Sequence, residues 1–180
     1  MTFIDTKEYF FSAGPFRFII TASEDVIVSI GFKKQKVPQK NPEIPHNVLN
    51  LFGFFARYAD RSPLLNYRII LLESGHNSDK RDEYGTASIV LDTSGYTENE
   101  RRVYRELIGV APGQRISYGE LAVRCGFTGG ARFIGNAMAK NRFPVIIPCH
   151  RVIKGNGEPG NYSGGADIKR NLLAHEAGGF

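Results

Sequence analysis

The sequence is poor in the residues that crosslink small proteins or bind structural metals. Among 180 residues there are two cysteines, four histidines and no tryptophan. Two cysteines exclude a disulfide-rich scaffold, and so few cysteines and histidines leave little for a structural zinc site. We therefore expect both cysteines to be reduced thiols and no metal to be bound.

Long apolar runs are also absent. No stretch approaches the roughly 18 residues that a membrane-spanning helix requires, so we expect no membrane partner. The first residues contain neither a basic nor an apolar segment, which argues against a secretory signal. Hydrophobic residues make up 42% and charged residues 23%, which is an ordinary globular balance. We expect a cytoplasmic protein, or a nuclear one if the source is eukaryotic.

Acidic charge is scarce in the second half of the chain. Residues 1–92 hold 11 basic and 11 acidic side chains, whereas residues 93–180 hold 12 basic and 7 acidic ones. The whole net charge of +5 therefore lies in the second half, together with 15 of the 20 glycines. We predict two domains, 1–92 and 93–180. The basic one is a candidate for contact with a polyanion such as nucleic acid.

The first domain is predicted to be a small α/β scaffold. Runs of β-branched and aromatic residues predict four strands, at residues 16–22, 26–32, 67–72 and 87–91. Apolar residues at helical spacing predict a helix at 47–60. Residues 33–45 and 74–85 are predicted loops. His46 and His76 have no partner at metal-ligand spacing, so this domain shows no recognisable chemistry.

The second domain is predicted to be mostly helical and to contain a helix-turn-helix. Apolar spacing predicts a helix at 97–110. Ser117 and Glu120 fit a capping box that opens a short helix, which Gly126 ends. A turn and a further helix at 131–140 follow. Such a pair of helices occurs both in DNA-binding proteins and in helical proteins that bind no DNA.

The helix predicted at 131–140 carries small residues along one face. Ala131, Gly135 and Ala139 follow one another at a spacing of four residues. A glycine inside a helix costs about 1 kcal/mol relative to alanine, so its presence needs a reason. That reason is either close packing against another helix or close approach to a DNA backbone. Arg132, at the start of this helix, could reach into a duplex.

A thiol and an imidazole follow a short apolar segment in the sequence Pro-Cys-His-Arg-Val, residues 148–152. A reactive cysteine needs a neighbour that favours the thiolate, and His150 or Arg151 can supply it. The simpler interpretation is that Cys149 is a small buried hydrophobe. The glycine-rich loops that follow favour a pocket instead. Cys125 has no histidine near it in sequence and is interpreted as structural.

Taken together, these segments resemble the O6-alkylguanine-DNA alkyltransferases, also called methylated-DNA–protein-cysteine methyltransferases. The hallmark of that family is the Pro-Cys-His-Arg-Val segment at 148–152. The resemblance runs from about residue 103 to residue 176, and the blocks agree in order and spacing. These blocks are 116–122, Ala131-Arg132 with Gly135, Asn141, 160–165, Lys169 and 172–176.

The resemblance implies DNA repair by direct reversal of damage. One alkyl group would pass irreversibly from O6-alkylguanine to Cys149, with O4-alkylthymine left open as a second substrate. The partner would be double-stranded DNA containing O6-alkylguanine, bound through base flipping and a minor-groove helix-turn-helix. The resemblance also implies a ribonuclease-H-like first domain, no cofactor, and a monomer without an obligate protein partner. Some members bind zinc through N-terminal cysteines, which this chain lacks.

The resemblance implies catalytic roles at five positions. Cys149 would be the nucleophile, and His150 would act as a base through a bridging water. Glu176 would orient His150 and balance its charge. Asn141 would order the active-site loop. Tyr118 would hydrogen-bond the flipped base and help to protonate the departing guanine.

It also implies contacts with DNA or with the flipped base. Arg132 would enter the base stack and fill the space that the base leaves. Tyr162 and Ser163 would belong to a loop that closes over the base. The remaining implied contacts are Ala131, Gly135, Ser117, Arg151 and Val152.

One departure from the family pattern and three other functions stay open. Phe133 stands where a small residue is usual, so either it packs against a neighbouring helix or it changes the contact with the groove. The other functions are a lesion-binding protein without transfer, a Cys-His hydrolase and a DNA-binding regulator. The presence of Cys149 argues against the first, and the basic second half argues against the hydrolase. The small apolar helix at 131–140 argues against base reading by a regulator.

Overall fold

The computed structural model describes residues 5–23, 26–33, 41, 43–62, 64, 67–72 and 87–178. The chain divides into two compact units, Met1–Gly95 and Tyr96–Phe180. The boundary falls three residues after the predicted one at residue 92. The predicted loop at 74–85, with His76, and most of the loop at 33–45 lie outside the described residues.

The first unit is a mixed five-stranded sheet with one helix. Its elements are β1 (Lys7–Ala13), β2 (Phe16–Ser23), β3 (Val26–Phe32), α1 (His46–Ala59), β4 (Tyr67–Leu72) and β5 (Ala87–Asp92). The strand order is β1-β2-β3-β5-β4. The first three strands are antiparallel, whereas β5 runs parallel to both of its neighbours. The prediction of a small sheet plus a helix is confirmed.

The core of this unit lies between α1 and one face of the sheet. Side chains along β2 alternate between buried and more exposed positions, as expected when one face of a strand packs on a core. The ring of Phe18 stacks on that of Phe55 from α1, with centroids 3.9 Å apart. The side chain of Asn47 bonds both the amide and the carbonyl of Val90. These contacts fix α1 against β2 and β5.

One element of this unit was not predicted, and three others differ from their predicted bounds by one residue: α1 at both ends, and β2 and β5 at their last residue. β1 was not predicted, because its apolar residues Tyr9, Phe10 and Phe11 are consecutive and do not alternate. Helix α1 begins at His46, one residue before the predicted start, and this histidine is exposed. β3 and β4 have the predicted bounds.

The second unit is mostly helical, as predicted. Its elements are α2 (Glu98–Ile108), β6 (Ile116–Ser117), α3 (Tyr118–Arg124), α4 (Ala131–Lys140), a 3-10 turn (Cys149–Arg151), β7 (Val152–Ile153) and α5 (Ala166–Ala177). Capping boxes open both α2 and α3, at Thr97 and Ser117 respectively. Within the described residues, no helix is long and apolar enough to cross a membrane.

Helix α5 was not predicted. Its buried side chains include Lys169 and Glu176 as well as Leu172 and Leu173, so its inward face is partly charged. A charged inward face weakens the apolar periodicity that identifies a helix in a sequence. Lys169 and Glu176 both bond the segment that follows Cys149.

Candidate active site

A two-stranded parallel sheet holds the Pro-Cys-His-Arg-Val segment beside the start of α3. Ile116 pairs with Val152, and Ser117 pairs with Ile153. Because Ser117 also caps α3, the pairing places Tyr118, the first residue of that helix, next to the 3-10 turn that carries Cys149. Tyr118 and Cys149 then line one pocket.

The thiol of Cys149 is almost completely buried, with 3% of the residue exposed. The Nδ2 atom of Asn141 lies 3.0 Å from its sulfur and also bonds the carbonyl of Ile147. Burial raises the pKa of the Cys149 thiol, and hydrogen bonds from Asn141 and Tyr162 and the charge of Lys169 oppose this only in part. The sequence predicted neighbours that favour the thiolate, whereas the folded environment keeps the thiol neutral.

His150 and Glu176 form a fully buried pair behind Cys149. The Nε2 atom of His150 lies 2.8 Å from Oε1 of Glu176. Burial lowers the pKa of His150, and the carboxylate of Glu176 opposes that shift. The ring is therefore neutral, and donation from Nε2 to a carboxylate leaves Nδ1 as the unprotonated acceptor. Nδ1 is buried and makes no hydrogen bond within the described residues.

Arg151 completes the surroundings of Glu176. Its guanidinium donates to both carboxylate oxygens, at 2.7 to 3.1 Å, and also to the carbonyl of Val110. Burial by itself would raise the pKa of Glu176, but hydrogen bonds and charge from His150 and Arg151 hold it far below its ordinary value. Glu176 is therefore a fixed carboxylate. A further hydrogen bond, from the amide of Gly113, supports it.

Lys169 is a buried cation whose function the sequence did not indicate. It is 0% exposed, and its ammonium group donates to the carbonyl of Val152 at 2.7 Å. The ammonium also lies 5.9 Å from the centre of the Tyr162 ring. Burial lowers the pKa of Lys169 to about 8, although a thiolate at Cys149 opposes the shift. Lys169 is therefore mostly protonated at neutral pH and loses its charge just above it.

Helix α5 contributes two charged side chains that bond residues 150–152. Lys169 and Glu176 are seven residues apart, which is about two helical turns, so they lie on the same face. The first bonds the segment after Cys149, and the second bonds His150 and Arg151. One helix thus bonds the second and third residues of the 3-10 turn and the residue that follows the turn.

A pocket of about 960 Å³ opens in front of Cys149, within the size range of small-molecule sites. Its walls come from the start of α3, one face of α4 and the loop before α5. The lining residues are Tyr118, Gly119, Ala131, Arg132, Gly135, Asn136, Met138, Ala139, Cys149, Lys154, Gly155, Gly160, Asn161, Tyr162 and Ser163. Burial raises the pKa of Tyr118, and a thiolate at Cys149 raises it further.

The loop at 160–165 closes one side of the pocket and depends on glycine. Gly160 has a positive φ of 71°, a conformation that side chains disfavour. A Cβ atom at this position would also lie 3.2 Å from the hydroxyl of Tyr118. Glycine therefore allows the loop to approach Tyr118. Tyr162 and Ser163, from the same loop, line the pocket.

Of the residues predicted from the sequence, seven line the pocket and six do not. Asn141, His150 and Glu176 are buried around Cys149, where Asn141 bonds the sulfur and His150 bonds Glu176. The other three are Ser117, Val152 and Arg151. Ser117 is used as the cap of α3, where its hydroxyl accepts from the amide of Glu120. Val152 is buried in the short sheet. The guanidinium of Arg151 is buried against Glu176, so its side chain does not face the pocket.

Phe133 also points away from the pocket. Its ring packs edge-on against Phe127, with centroids 5.1 Å apart, and the guanidinium of Arg102 lies over Phe127. Phe133 is absent from the residues that line the pocket. The sequence left open packing against a neighbouring helix or a changed contact with the groove. The structure shows packing instead on Phe127, which lies in the turn between α3 and α4.

No group of three or more potential metal ligands is found within the described residues. The polar groups at the site instead form hydrogen bonds with one another, as His150 does with Glu176. The arrangement is therefore a thiol and a tyrosine hydroxyl at the wall of one pocket, with a neutral imidazole and a fixed carboxylate buried nearby.

Comparison with known proteins agrees with this arrangement. Residues 98–178 match the family model described as "6-O-methylguanine DNA methyltransferase, DNA binding domain". A methylated-DNA–protein-cysteine methyltransferase of Shigella flexneri is 39% identical over 114 residues, which cover 61% of this chain and 67% of that protein. The chain belongs to the methylated-DNA–protein-cysteine methyltransferase family. The matched region contains Cys149, His150 and Glu176.

Other members match over a shorter length or by structure. The methyltransferase of Methanothermobacter thermautotrophicus is 42% identical over 87 residues, so the match spans about half of each chain, 48%. The crystal structure of the Mycobacterium tuberculosis OGT in complex with DNA has a TM-score of 0.66 and 25% identity. That comparison covers 90% of this chain and 87% of the other. Both units are therefore within the region of structural similarity to the family.

Proposed function

We propose that this protein repairs DNA by transferring the alkyl group of O6-alkylguanine to its own Cys149, once per molecule. The observation that carries the proposal is a thiol at the wall of a pocket, followed in the chain by a histidine that forms a buried imidazole–carboxylate pair. The name of the family describes the same reaction. A related Mycobacterium tuberculosis protein binds DNA, which supports double-stranded DNA as the partner.

Transfer begins with removal of the thiol proton. Because burial raises the pKa of Cys149, the resting thiol is neutral and needs a base. Nδ1 of His150 is the available acceptor, and we assign a bridging water between it and the sulfur. The thiol proton passes to the water as the water gives a proton to Nδ1. Glu176, which stays ionised, then stabilises the imidazolium.

The alkyl group then moves in a single displacement. The sulfur forms a bond to the alkyl carbon, the bond from that carbon to O6 breaks, and its electron pair stays on guanine. The raised pKa of Tyr118 keeps its hydroxyl protonated at neutral pH, so it can donate a hydrogen bond to the departing base. The product is a stable thioether. Cys125 is buried outside the lining of the pocket, so it is not placed to remove the group.

Three side chains position these groups. Asn141 bonds the sulfur and the carbonyl of Ile147, so it ties the end of α4 to the nucleophile. Lys169 holds the backbone after the 3-10 turn and places a positive charge near the thiolate. Arg151 fixes Glu176, and we propose this positioning role in place of contact with DNA through its side chain.

DNA would be bound through α3 and α4 as a helix-turn-helix in the minor groove. Arg132 is exposed at the start of α4, where it can enter the stack and replace the flipped base. A Cβ atom at Gly135 would meet nothing within 4 Å, so close packing inside the protein does not explain this glycine. Close approach to DNA by the face of Ala131, Gly135 and Ala139 is the explanation that remains.

Base flipping would bring the damaged guanine into the pocket. Removing a base from the duplex costs a few kcal/mol, which contacts inside the pocket must offset. Tyr162 and Ser163 stand on the loop that closes over this space, and Tyr118 faces them. The backbone around Val152 would contribute further hydrogen bonds to the edge of the guanine.

The first unit would act as a scaffold with a ribonuclease-H-like arrangement. Three antiparallel strands followed by a parallel pair, with a helix packed on the sheet, support that proposal. The chemistry described above uses residues of the second unit alone. We therefore propose that the protein acts as a monomer and without a cofactor.

The proposal is tested by counting repaired guanines when a duplex with one O6-methylguanine is in molar excess over the protein. Repair should stop when each protein molecule has acted once. His150→Ala should slow transfer about 100-fold or more, the usual effect of losing a general base. His175→Ala, on the same segment of α5 as Glu176 and outside the pocket, is the matched control. Continued turnover contradicts the single-use mechanism, and tight binding without repair favours a lesion-binding protein.

A further inference from the structure

The face of α4 that lines the pocket has two polar side chains. Its lining residues are Ala131, Arg132, Gly135, Asn136, Met138 and Ala139. Four of these are small or apolar and offer no strong hydrogen-bonding group. Arg132 is already assigned to the space left by the flipped base. Asn136 is therefore the remaining side chain of this face that can form strong hydrogen bonds with a ligand.

Asn136 has no evident role in folding. It is exposed, and its side chain makes no hydrogen bond to any other part of the chain that the structure describes. Asparagine in the middle of a helix is less favourable than alanine, because its side chain competes for backbone hydrogen bonds. The residue thus weakens α4 slightly and contributes no internal contact in return.

The spacing along α4 places Asn136 beside the lesion when Arg132 occupies the stack. The two residues are four apart, so they lie on the same side of the helix and about one turn from each other. One turn advances about 5.4 Å, and base pairs are stacked about 3.4 Å apart. With α4 lying along the groove, Asn136 would therefore reach a base pair one or two steps from the flipped guanine.

An amide suits the edges that the minor groove presents. That groove shows acceptors on every base pair and one donor, the exocyclic amine of guanine. The carboxamide of asparagine can accept from that amine and can donate to the acceptors. Asparagine is among the residues that proteins use to read this groove. Because Asn136 carries no charge, its contact would add sequence preference without adding salt-dependent affinity.

We propose that Asn136 reads the base pair beside the lesion from the minor groove and makes alkyl transfer depend on flanking sequence. The inference rests on the proposed function and deepens it, since it concerns which damaged sites are repaired fastest. We expect guanine to be the favoured neighbour of the lesion, because the amide oxygen of Asn136 can accept a hydrogen bond from its minor-groove amine.

Inosine provides a direct test, because it differs from guanine only by lacking the minor-groove amine. Single-turnover transfer rates are measured on duplexes with one O6-methylguanine and either guanine or inosine at each of the four nearest positions. At one of these positions, replacing guanine with inosine should lower the transfer rate of the unmodified protein about fivefold, which is the effect of one hydrogen bond. Asn136→Ala should transfer at the same rate on both duplexes.

A matched control separates this role from a general effect of substitution. Asn171→Ala makes the same change at an exposed position of α5 that does not line the pocket, and it should keep the full sensitivity to inosine. Equal rates of the unmodified protein on all duplexes would overturn the inference, as would sensitivity that survives in Asn136→Ala. Absence of transfer even on the guanine duplexes would instead overturn the proposed function itself.

Discussion

At the scale of single residues, two opposing effects set the pKa of the Cys149 thiol. Burial raises the pKa of Cys149, while Asn141, Tyr162 and Lys169 oppose the shift. The thiol is therefore neutral at rest, and in the proposed mechanism the imidazole of His150 generates the thiolate. Lys169 is the nearby charge that stabilises the thiolate once it forms.

Lys169→Met should slow alkyl transfer at least tenfold at neutral pH. Methionine has a similar length but removes the charge and the bond to the carbonyl of Val152. Because burial lowers the pKa of Lys169 to about 8, the charge is present below that pH and is lost above it. The advantage of the unmodified protein should therefore be largest below pH 8 and should shrink above it. Transfer rates measured across this range check the prediction.

A second variant distinguishes the charge from the hydrogen bond. Lys169→Gln keeps a donor but has no charge. If the charge matters, the glutamine variant should be about as slow as the methionine variant. Full rescue by glutamine would contradict an electrostatic role and would leave Lys169 as a support for the backbone.

Glu176→Gln should lower the free energy of unfolding by about 3 kcal/mol at neutral pH. The change leaves the buried cation of Arg151 without its carboxylate, and loss of one partner of a buried pair typically costs this much. Urea denaturation measures it. Glu106→Gln, at an exposed position of α2, should change stability by less than about 0.5 kcal/mol.

The same carboxylate predicts a pH dependence of stability. Although burial acts to raise the pKa of Glu176, His150 and Arg151 hold it far below its ordinary value. Its contribution is therefore fully present above the unfolded-state pKa of about 4.3 and is lost as the pH falls toward the folded-state pKa. The difference between the unmodified protein and Glu176→Gln should be constant near neutrality and should shrink below about pH 4. A difference that instead grows with acidity would contradict the assignment.

At the scale of elements, the site is an assembly of helix ends and one short sheet. The start of α3 carries Tyr118, the end of α4 carries Asn141, and α5 contributes Lys169 and Glu176. Between Asn141 and Cys149, Val145 has a φ of 74°, a strained conformation for a β-branched residue. The hydrogen bonds from Asn141 to the carbonyl of Ile147 and to the sulfur of Cys149 span Val145, so they help to hold the strained backbone.

Some of these elements could be predicted from the sequence and others could not. The capping box at Ser117 was recognised, whereas the same pattern at Thr97 and Glu100 was overlooked. Helix α5 was missed because Lys169 and Glu176 occupy its buried face. Their contacts with Val152 and Arg151 depend on tertiary structure, which no local pattern encodes.

Thr97→Ala should destabilise the protein by about 1 kcal/mol with little change in the rate of transfer. The hydroxyl of Thr97 accepts from the amide of Glu100 and caps α2, and loss of such a cap has this typical cost. Thr97 does not line the pocket. Thr97→Ser keeps the hydroxyl and should restore stability in a denaturant titration. A serine variant as unstable as the alanine variant would show that the cap is not the cause.

At the scale of the whole molecule, the two halves of the sequence differ in charge, and the structure has two compact units. The excess of positive charge lies in residues 93–180, which also contain Cys149. Charge composition alone pointed to a polyanion but could not identify the reaction. That identification needed the spaced blocks around Cys149, whereas the first unit carries no comparable motif.

Affinity for undamaged duplex DNA should fall steeply with salt. If an excess of five positive charges corresponds to about five phosphate contacts, affinity should drop about 10²- to 10³-fold between roughly 50 and 200 mM salt. Fluorescence anisotropy of a labelled duplex measures the slope. Affinity that is independent of salt would contradict electrostatic binding by this unit.

The most direct test of the account is the intact mass of the protein after incubation with a duplex that contains one O6-methylguanine. We predict a gain of one methylene unit per molecule, located by peptide mapping on Cys149 and absent from Cys149→Ser. An unchanged mass while the duplex is bound, or a methyl group located on Cys125, would contradict the assignment of Cys149 as the acceptor.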